Sequence, residues 1–197
     1  MEFITWLDSI EYKNIDSLKI VGSSYLIVDG KVFLVTKQIA NAQAAEFELL
    51  SNPCFSKDSE CVFYDGLILK NAEAKTFHLL NDYGDYATDG KNMYYQKNEL
   101  EGVNAQCFEL LDSFSLFGHD GKNVYFEHHK ISDIDISSIE VISHHEAIKD
   151  AKNVYWKANK VLGADPKTFT CTYSEYDKYN AEDKNCFYKN GILVKKK

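Results

Sequence analysis

Asp89-Gly90-Lys91-Asn92-Met93-Tyr94-Tyr95 returns as Asp120-Gly121-Lys122-Asn123-Val124-Tyr125-Phe126, as Asp150-Ala151-Lys152-Asn153-Val154-Tyr155-Trp156 and as Glu182-Asp183-Lys184-Asn185-Cys186-Phe187-Tyr188. Two weaker copies precede them, Asp58-Ser59-Glu60-Cys61-Val62-Phe63-Tyr64 and, one residue shorter, Asp29-Gly30-Lys31-Val32-Phe33-Leu34. A motif returning at a fixed period is the mark of a repeat architecture, so this run decides the fold class. With the aromatics Phe33, Phe63, Tyr94, Tyr125, Tyr155 and Phe187 as anchors, successive separations are 30, 31, 31, 30 and 32 residues.

Other positions keep step with the anchor. Six residues after it stand Ile39, Leu69, Leu100, Ile131, Val161 and Leu193, and fourteen after it Phe47, Phe77, Phe108, Ile139 and Phe169. Eight before it stand Tyr25, Phe55, Tyr86, Phe117, Ala147 and Tyr179. A fourth apolar pair follows at Leu49-Leu50, Leu79-Leu80, Leu110-Leu111, Val141-Ile142 and Cys171-Thr172. Each repeat therefore reads as short apolar and aromatic segments divided by turn formers, the pattern of antiparallel strands, and no segment has the length of a stable amphipathic helix.

The turn chemistry agrees. In Asp-Gly-Lys-Asn the glycine tolerates positive φ and the aspartate bonds its own backbone two residues on. Asp65-Gly66 and Asn190-Gly191 are dipeptides that favour primed hairpin turns. Asp165-Pro166-Lys167-Thr168 combines a capping aspartate with a proline at the first helical position, predicting single helical turns near Ala74, Ala105 and Asp165. The sequence predicts an all-β fold of tandem ~31-residue repeats in one domain over residues 1–197, with an irregular cap at 1–22 and repeats from 23 onward.

Whether the repeats close on themselves turns on the chain ends. Asn14-Ile15-Asp16-Ser17-Leu18-Lys19-Ile20-Val21 parallels Asp135-Ile136-Ser137-Ser138-Ile139-Glu140-Val141-Ile142, so the N-terminal piece offers a fourth segment that the C-terminal repeat lacks. That would suit the shared blade of a closed β-propeller. Against it, Phe3-Ile4-Thr5 and Ile10 also fit the second and third segments, and about 31 residues is short for a four-stranded blade of roughly 40. The balance favours an open or curled array.

Composition narrows function. The chain has 197 residues and a net charge of −8, and its 22 basic residues are all lysine. Nucleic-acid recognition relies on a basic surface and on arginine forks, so both main ingredients are missing. An acidic surface instead favours basic protein partners and disfavours anionic membranes. The opening Met1-Glu2-Phe3-Ile4-Thr5-Trp6-Leu7-Asp8 has no basic flank and no long apolar run, and no stretch reaches the ~18 apolar residues of a membrane span, so a cytoplasmic location is expected. The five cysteines (Cys54, Cys61, Cys107, Cys171, Cys186) have no CxxC spacing and read as free thiols. Of these, Cys107, Cys171 and Cys186 fall at or beside apolar repeat positions and are expected to be buried.

The repeated run resembles that of the DKNYY repeat family, whose Asp-Lys-Asn-Tyr-Tyr signature is approximated by Asp183-Lys184-Asn185-Cys186-Phe187-Tyr188 and by Asp89-Gly90-Lys91-Asn92-Met93-Tyr94-Tyr95. The resemblance covers the chain from about Tyr25 onward. It brings no common activity and no catalytic residues. Some similar bacterial proteins look like cytoplasmic immunity partners of secreted toxins, which implies a toxin-binding role here.

No GxSxG, HExxH or phosphate-loop pattern is present, so the sequence predicts neither an enzyme nor a cofactor. Five of six histidines, His119, His128, His129, His144 and His145, fall close together, but without cysteine or carboxylate at ligand spacing they read as loop residues. The candidate partner-binding residues are acidic and aromatic: Tyr173, Glu175, Tyr176, Asp177, Glu182 and Asp183 in one stretch, and Asp82, Tyr83 and Asp85 in another. Tyrosine offers contact area and a hydroxyl at low entropy cost. The expected function is a non-enzymatic protein-binding module, most concretely an immunity protein that neutralises a cognate toxin. The alternative is a structural scaffold.

Overall fold

A computed structural model describes residues 8–82, 84–113, 116–143, 146–172 and 178–197. The fold is all-β: six four-stranded sheets, every one an antiparallel meander of four consecutive strands, and none closed into a barrel. The first sheet comprises β1 Lys19–Val21, β2 Tyr25–Val28, β3 Lys31–Leu34 and β4 Lys37–Gln38; the second β5 Glu48–Leu49, β6 Phe55–Lys57, β7 Val62–Tyr64 and β8 Leu67–Ile68. The third is β9 His78–Leu79, β10 Tyr86–Thr88, β11 Met93–Tyr95 and β12 Asn98–Glu99; the fourth β13 Glu109–Leu110, β14 Phe117–His119, β15 Val124–Phe126 and β16 His129–Ile131. The fifth is β17 Glu140–Ser143, β18 Ala147–Lys149, β19 Val154–Trp156 and β20 Asn159–Lys160; the sixth β21 Thr170–Cys171, β22 Ala181–Glu182, β23 Cys186–Lys189 and β24 Ile192–Lys196.

The chain divides into two compact units, Met1–Glu101 and Gly102–Lys197, with three sheets each. The fourth apolar segment of each sequence repeat is the first strand of the following sheet, so the last sheet has its four strands and, among the described residues, no sheet draws strands from both ends of the chain. The parallel between residues 14–21 and 135–142 is real. Both form a 3₁₀ turn (Ile15–Ser17, Ile136–Ser138) leading into a first strand, with Asn14 and Asp135 as N-caps.

The third strands β11, β15 and β19 are apolar at consecutive positions because both of their faces are covered. In the first unit, Phe55, Val62 and Leu69 of the second sheet meet Ala87 and Tyr94 of the third, with Phe77 wedged in from the connection. Tyr25, Val32 and Ile39 meet Phe63 around Phe47 in the same way. In the second unit the same positions unite Phe117, Val124 and Ile131 with Ile148 and Tyr155, and Ala147, Val154 and Val161 with Ala181 and Tyr188 around Phe169. Each such burial is worth about 1.5–3 kcal/mol. Ile10 covers the far face of the first sheet, against Leu26, Val28 and Phe33.

The repeated aspartate is a latch. In Asp89, Asp120, Asp150 and Asp183, Oδ1 accepts the amides two and three residues on. Their Oδ2 reaches back to an amide in the preceding connection, at Glu73, Asn104, Asp135 and Asp165, over 2.9–3.1 Å. Asp58 does the same with Glu60, Cys61 and Gln43. The motif asparagines Asn92, Asn123 and Asn153 steady Oδ2 through Nδ2. One carboxylate thus ties a hairpin to the connection leading into its sheet. Asp29 instead begins a two-residue Asp29-Gly30 turn with both φ positive, and its carboxylate accepts the amides of Lys13 and Asn14.

The latch corrects the register of the last repeat. Asp183 bonds the amides of Asn185 and Cys186 as Asp150 bonds those of Lys152 and Asn153, and the pairs Ala181↔Tyr188 and Tyr188↔Leu193 match Ile148↔Tyr155 and Tyr155↔Lys160. Tyr188, not Phe187, is therefore the anchor. Phe187 is half-buried and stacks on Tyr179 at 4.7 Å between ring centroids, while Asn180, rather than Tyr179, takes the buried place before the strand.

The turn signals hold, and extend further than the sequence showed. Asp65-Gly66 and Asn190-Gly191 have positive φ at both residues, and the first turn residue is left-handed in all six sheets (Val35, Asp65, Gln96, Glu127, Lys157, Asn190). Glu73 and Asp165 open single hydrogen-bonded turns, and Ala105–Cys107 is a 3₁₀ turn. The cysteines diverge: Cys186 is buried and Cys171 partly so, but Cys107, on that turn, is exposed. A thiol reagent is accordingly expected to label Cys107 quickly in native protein and Cys186 only on unfolding. Cys171 should lag because burial, aided by Glu146, pushes its thiol up to about 11. Mass-spectrometric mapping of the labelled sites reads this directly.

Candidate protein-binding surface

Within each sheet the connection between the first two strands and the tight turn between the last two lie at the same end, opposite the latch. In the first five sheets they are joined there by one repeated bond, from the amide of the first turn residue to the carbonyl that precedes the second strand: Val35 to Ser24, Asp65 to Cys54, Gln96 to Asp85, Glu127 to Leu116, Lys157 to Glu146; in the sixth the Asn190 amide donates to Asn180 Oδ1 instead. The connections differ in length, from three residues in the first and fifth sheets to six in the third and fourth and nine in the sixth. Variable loops on a regular frame are where binding residues concentrate.

Of the sequence candidates, Asp82 and Asp85 lie in this connection of the third sheet. Asp82 is exposed. Asp85 is half-buried and held in place: its Oδ1 accepts from Asn52 Nδ2 at 3.3 Å and its Oδ2 from Gln96 Nε2 at 3.3 Å, while Asn52 Nδ2 also donates to the Gly84 carbonyl at 3.0 Å. Asp65 sits nearby on the second sheet. Burial first, then the charges of Asp85 and Asp65, push the Tyr64 hydroxyl well above the ordinary tyrosine range, and burial with the same two carboxylates raises the Cys54 thiol. The loop end of the first unit thus brings Asp65 and Asp85 beside Tyr64, with Asp82 exposed on the same connection as Asp85. Sequence reasoning missed Asp65, Tyr64 and Asn52, since Asp65 reads as a turn former, Tyr64 as part of the repeated run, and Asn52 belongs to no motif.

The second candidate stretch separates. Tyr173, Glu175, Tyr176 and Asp177, like Tyr83, lie outside the described residues. Asp183, expected on an acidic binding face, is only 2% exposed, and its carboxylate accepts from its own turn, from Asp165 N and from the Tyr188 hydroxyl at 2.8 Å. It is a latch and is closed to a partner. Glu182, on β22, pairs with Lys197 at 2.7 Å.

Among the histidines, the His128 and His129 rings pack 4.0 Å apart, and burial followed by the His129 charge lowers the His128 pKa. His119 Nδ1 accepts the Gly121 amide, and His144 and His145 lie outside the described residues. Among the described residues no group of three or more His, Cys, Asp or Glu is placed to hold a metal ion, and no helix is long and apolar enough to cross a membrane.

No curated protein and no solved structure matches the chain. A family model does, over residues 2–98 and again over 86–197, so that each match takes in close to one compact unit. Those two matches together span the latch, anchor and wedge positions described above, and the chain belongs to the DKNYY family.

Proposed function

We propose that this chain is a non-enzymatic protein-binding module, an immunity protein that neutralises a cognate bacterial toxin in the cytoplasm by covering a basic surface of it. The observation that carries the reading is the loop end of the first unit, where Asp65 and Asp85 flank Tyr64, Asp85 is held by Asn52 and Gln96, and Asp82 is exposed on the same connection. Carboxylates fixed in advance lose little entropy when they meet a cationic partner. The net charge of −8 steers such an encounter from a distance. The regularity of the latches and wedges fits a scaffold as well, and a scaffold has no need of a fixed acidic loop end.

The test is co-purification with the product of a neighbouring gene, followed by cell survival with and without this chain. Asp82→Lys is expected to slow association about tenfold and flatten its salt dependence without altering stability, because Asp82 is exposed. A partner that is retained equally by the variant, with unchanged association rate, removes this surface from the interaction. Survival that does not depend on the chain removes the immunity role.

A further inference from the structure

We propose that β24 is a strand-addition site that takes up an extended peptide of a partner protein in which acidic and apolar residues alternate. This surface is distinct from the acidic loop end, and the proposal stands without the immunity reading.

The final strands of the other five sheets are two or three residues long, whereas β24 has five, all exposed. Its apolar residues are open to solvent, Ile192 at 71%, Leu193 at 47% and Val194 at 44%, and Leu162 beside it at 78%. Proteins ordinarily blunt a sheet edge by shortening it, because its unpaired backbone groups form a template for another strand. Here the edge is long and also held in place. The Asn190-Gly191 turn that leads into it is pressed against the fifth sheet, where a Cβ on Gly191 would come within 2.4 Å of Trp156 Cβ. Asn190 is clasped by Asn180 through two bonds, of 2.7 and 2.8 Å.

Two grooves border the strand where it meets the fifth sheet. One is lined by Trp156, Lys157, Lys160 and Ile192, with Glu146 as its acid. The other is lined by Leu162, Lys184, Leu193, Lys196 and Lys197 and includes no carboxylate. Lys184 and Lys197 pair with Asp165 and Glu182. Lys157, Lys160, Lys195 and Lys196 have no ion pair among the described residues. On a chain of net charge −8 this is a local basic surface with apolar floors. An added strand gains main-chain hydrogen bonds, its acids have Lys157, Lys160 and Lys196 to meet, and its apolar groups have Leu162, Ile192 and Leu193. A second copy of this edge would bring lysines into the neighbourhood of lysines, which disfavours self-pairing.

The probe is a fluorescent ten-residue peptide of alternating glutamate and valine, titrated into the full chain and read by anisotropy. Saturable binding that weakens with salt is expected, together with about a tenfold loss on K195E/K196E. A lysine–valine peptide should not bind. Because charge reversal can act through folding, Ile192→Ser serves as a second variant, and urea midpoints of both are compared with the parent. A tenfold loss at an unchanged midpoint in either variant supports the site. Absence of saturable binding overturns the proposal. So does equal binding of a peptide carrying two central prolines, which would reduce the effect to charge alone. Concentration-dependent dimerisation abolished by Ile192→Ser would assign the edge to a second copy, and retention on phosphatidylserine vesicles without peptide binding would assign it to a lipid surface.

Discussion

Asp150→Ala is expected to cost about 3–4 kcal/mol in urea denaturation at pH 7, although no apolar contact is lost. The carboxylate accepts the amides of Lys152 at 2.7 Å, Asn153 at 2.6 Å and Asp135 at 3.1 Å, and Asp150 is itself buried, so its removal takes away three bonds to a charged acceptor at once. Asp150→Asn should cost somewhat less, because one acceptor oxygen survives while the new NH₂ group faces another donor. Lys152→Ala, on the exposed crest of the same turn, should change stability by less than about 0.5 kcal/mol.

The same latch predicts the acid limb of the stability curve. At Asp89, Asp120, Asp150 and Asp183 burial raises the carboxyl pKa, but the amide donors together outweigh it and hold all four below the ordinary aspartate value. A depressed native pKa means the unfolded chain binds protons more readily. The contribution is therefore complete above the unfolded value of about 3.9 and is lost as pH falls through the native values. Four carboxylates titrating in one window make the decline steep, and Asp150→Asn should make it shallower by removing one of them. Should Asp150→Ala unfold at the parent's urea midpoint, the latch contributes nothing.

Phe108→Ala is expected to destabilise by about 3–5 kcal/mol, as for a buried aromatic that leaves a cavity. Its ring lies over Gly118, where a Cβ would meet Phe108 Cζ at 2.4 Å and Cε1 at 2.6 Å, and against Tyr125 at 6.0 Å between centroids. Gly118→Ala should therefore also destabilise, by about 1–3 kcal/mol, through overpacking. The two changes should not add: with Phe108 trimmed to leucine, Gly118→Ala should cost much less, giving a measurable coupling energy. The chain contains its own precedents. Phe77 packs with Ala87 and Phe169 with Ala181, while the interface that has Ile148 at the small position has Ile139 in place of the phenylalanine. Additive costs in the double variant would refute this complementarity.

The anchor, wedge and turn positions were legible because each depends on a side-chain type that recurs at a fixed offset. What remained hidden depends on backbone. The latch's second partner is an amide, so Gln43, Glu73, Asn104, Asp135 and Asp165 show no common chemistry. A left-handed position eight residues after each anchor is filled by Asn41, Asn71, Gly102, Asp133 and Gly163, three residue types united only by tolerance of positive φ. The last repeat misleads because Phe187 and Tyr188 both satisfy an aromatic anchor. The distance from Asp183 to Tyr188 equals that from Asp150 to Tyr155, and that spacing would have set the frame and marked Asp183 as a latch. The acidic loop end of the first unit was half legible, since Asp82 and Asp85 are close in sequence whereas Asp65 and Asn52 approach Asp85 only through the packing of two separate sheets.

Because every sheet is a meander of four consecutive strands, each can close as soon as its own thirty or so residues have left the ribosome, with no need to await the C-terminus. Chains dominated by contacts near in sequence tend to form quickly. The latch reaches back 15 to 18 residues to its connection, so each new hairpin fastens the segment made just before it, and assembly is given a direction along the chain. The same locality makes the repeat a natural unit of gain and loss: a duplication that inserts one whole period brings its own latch, wedge and anchor and disturbs only the two neighbours it parts.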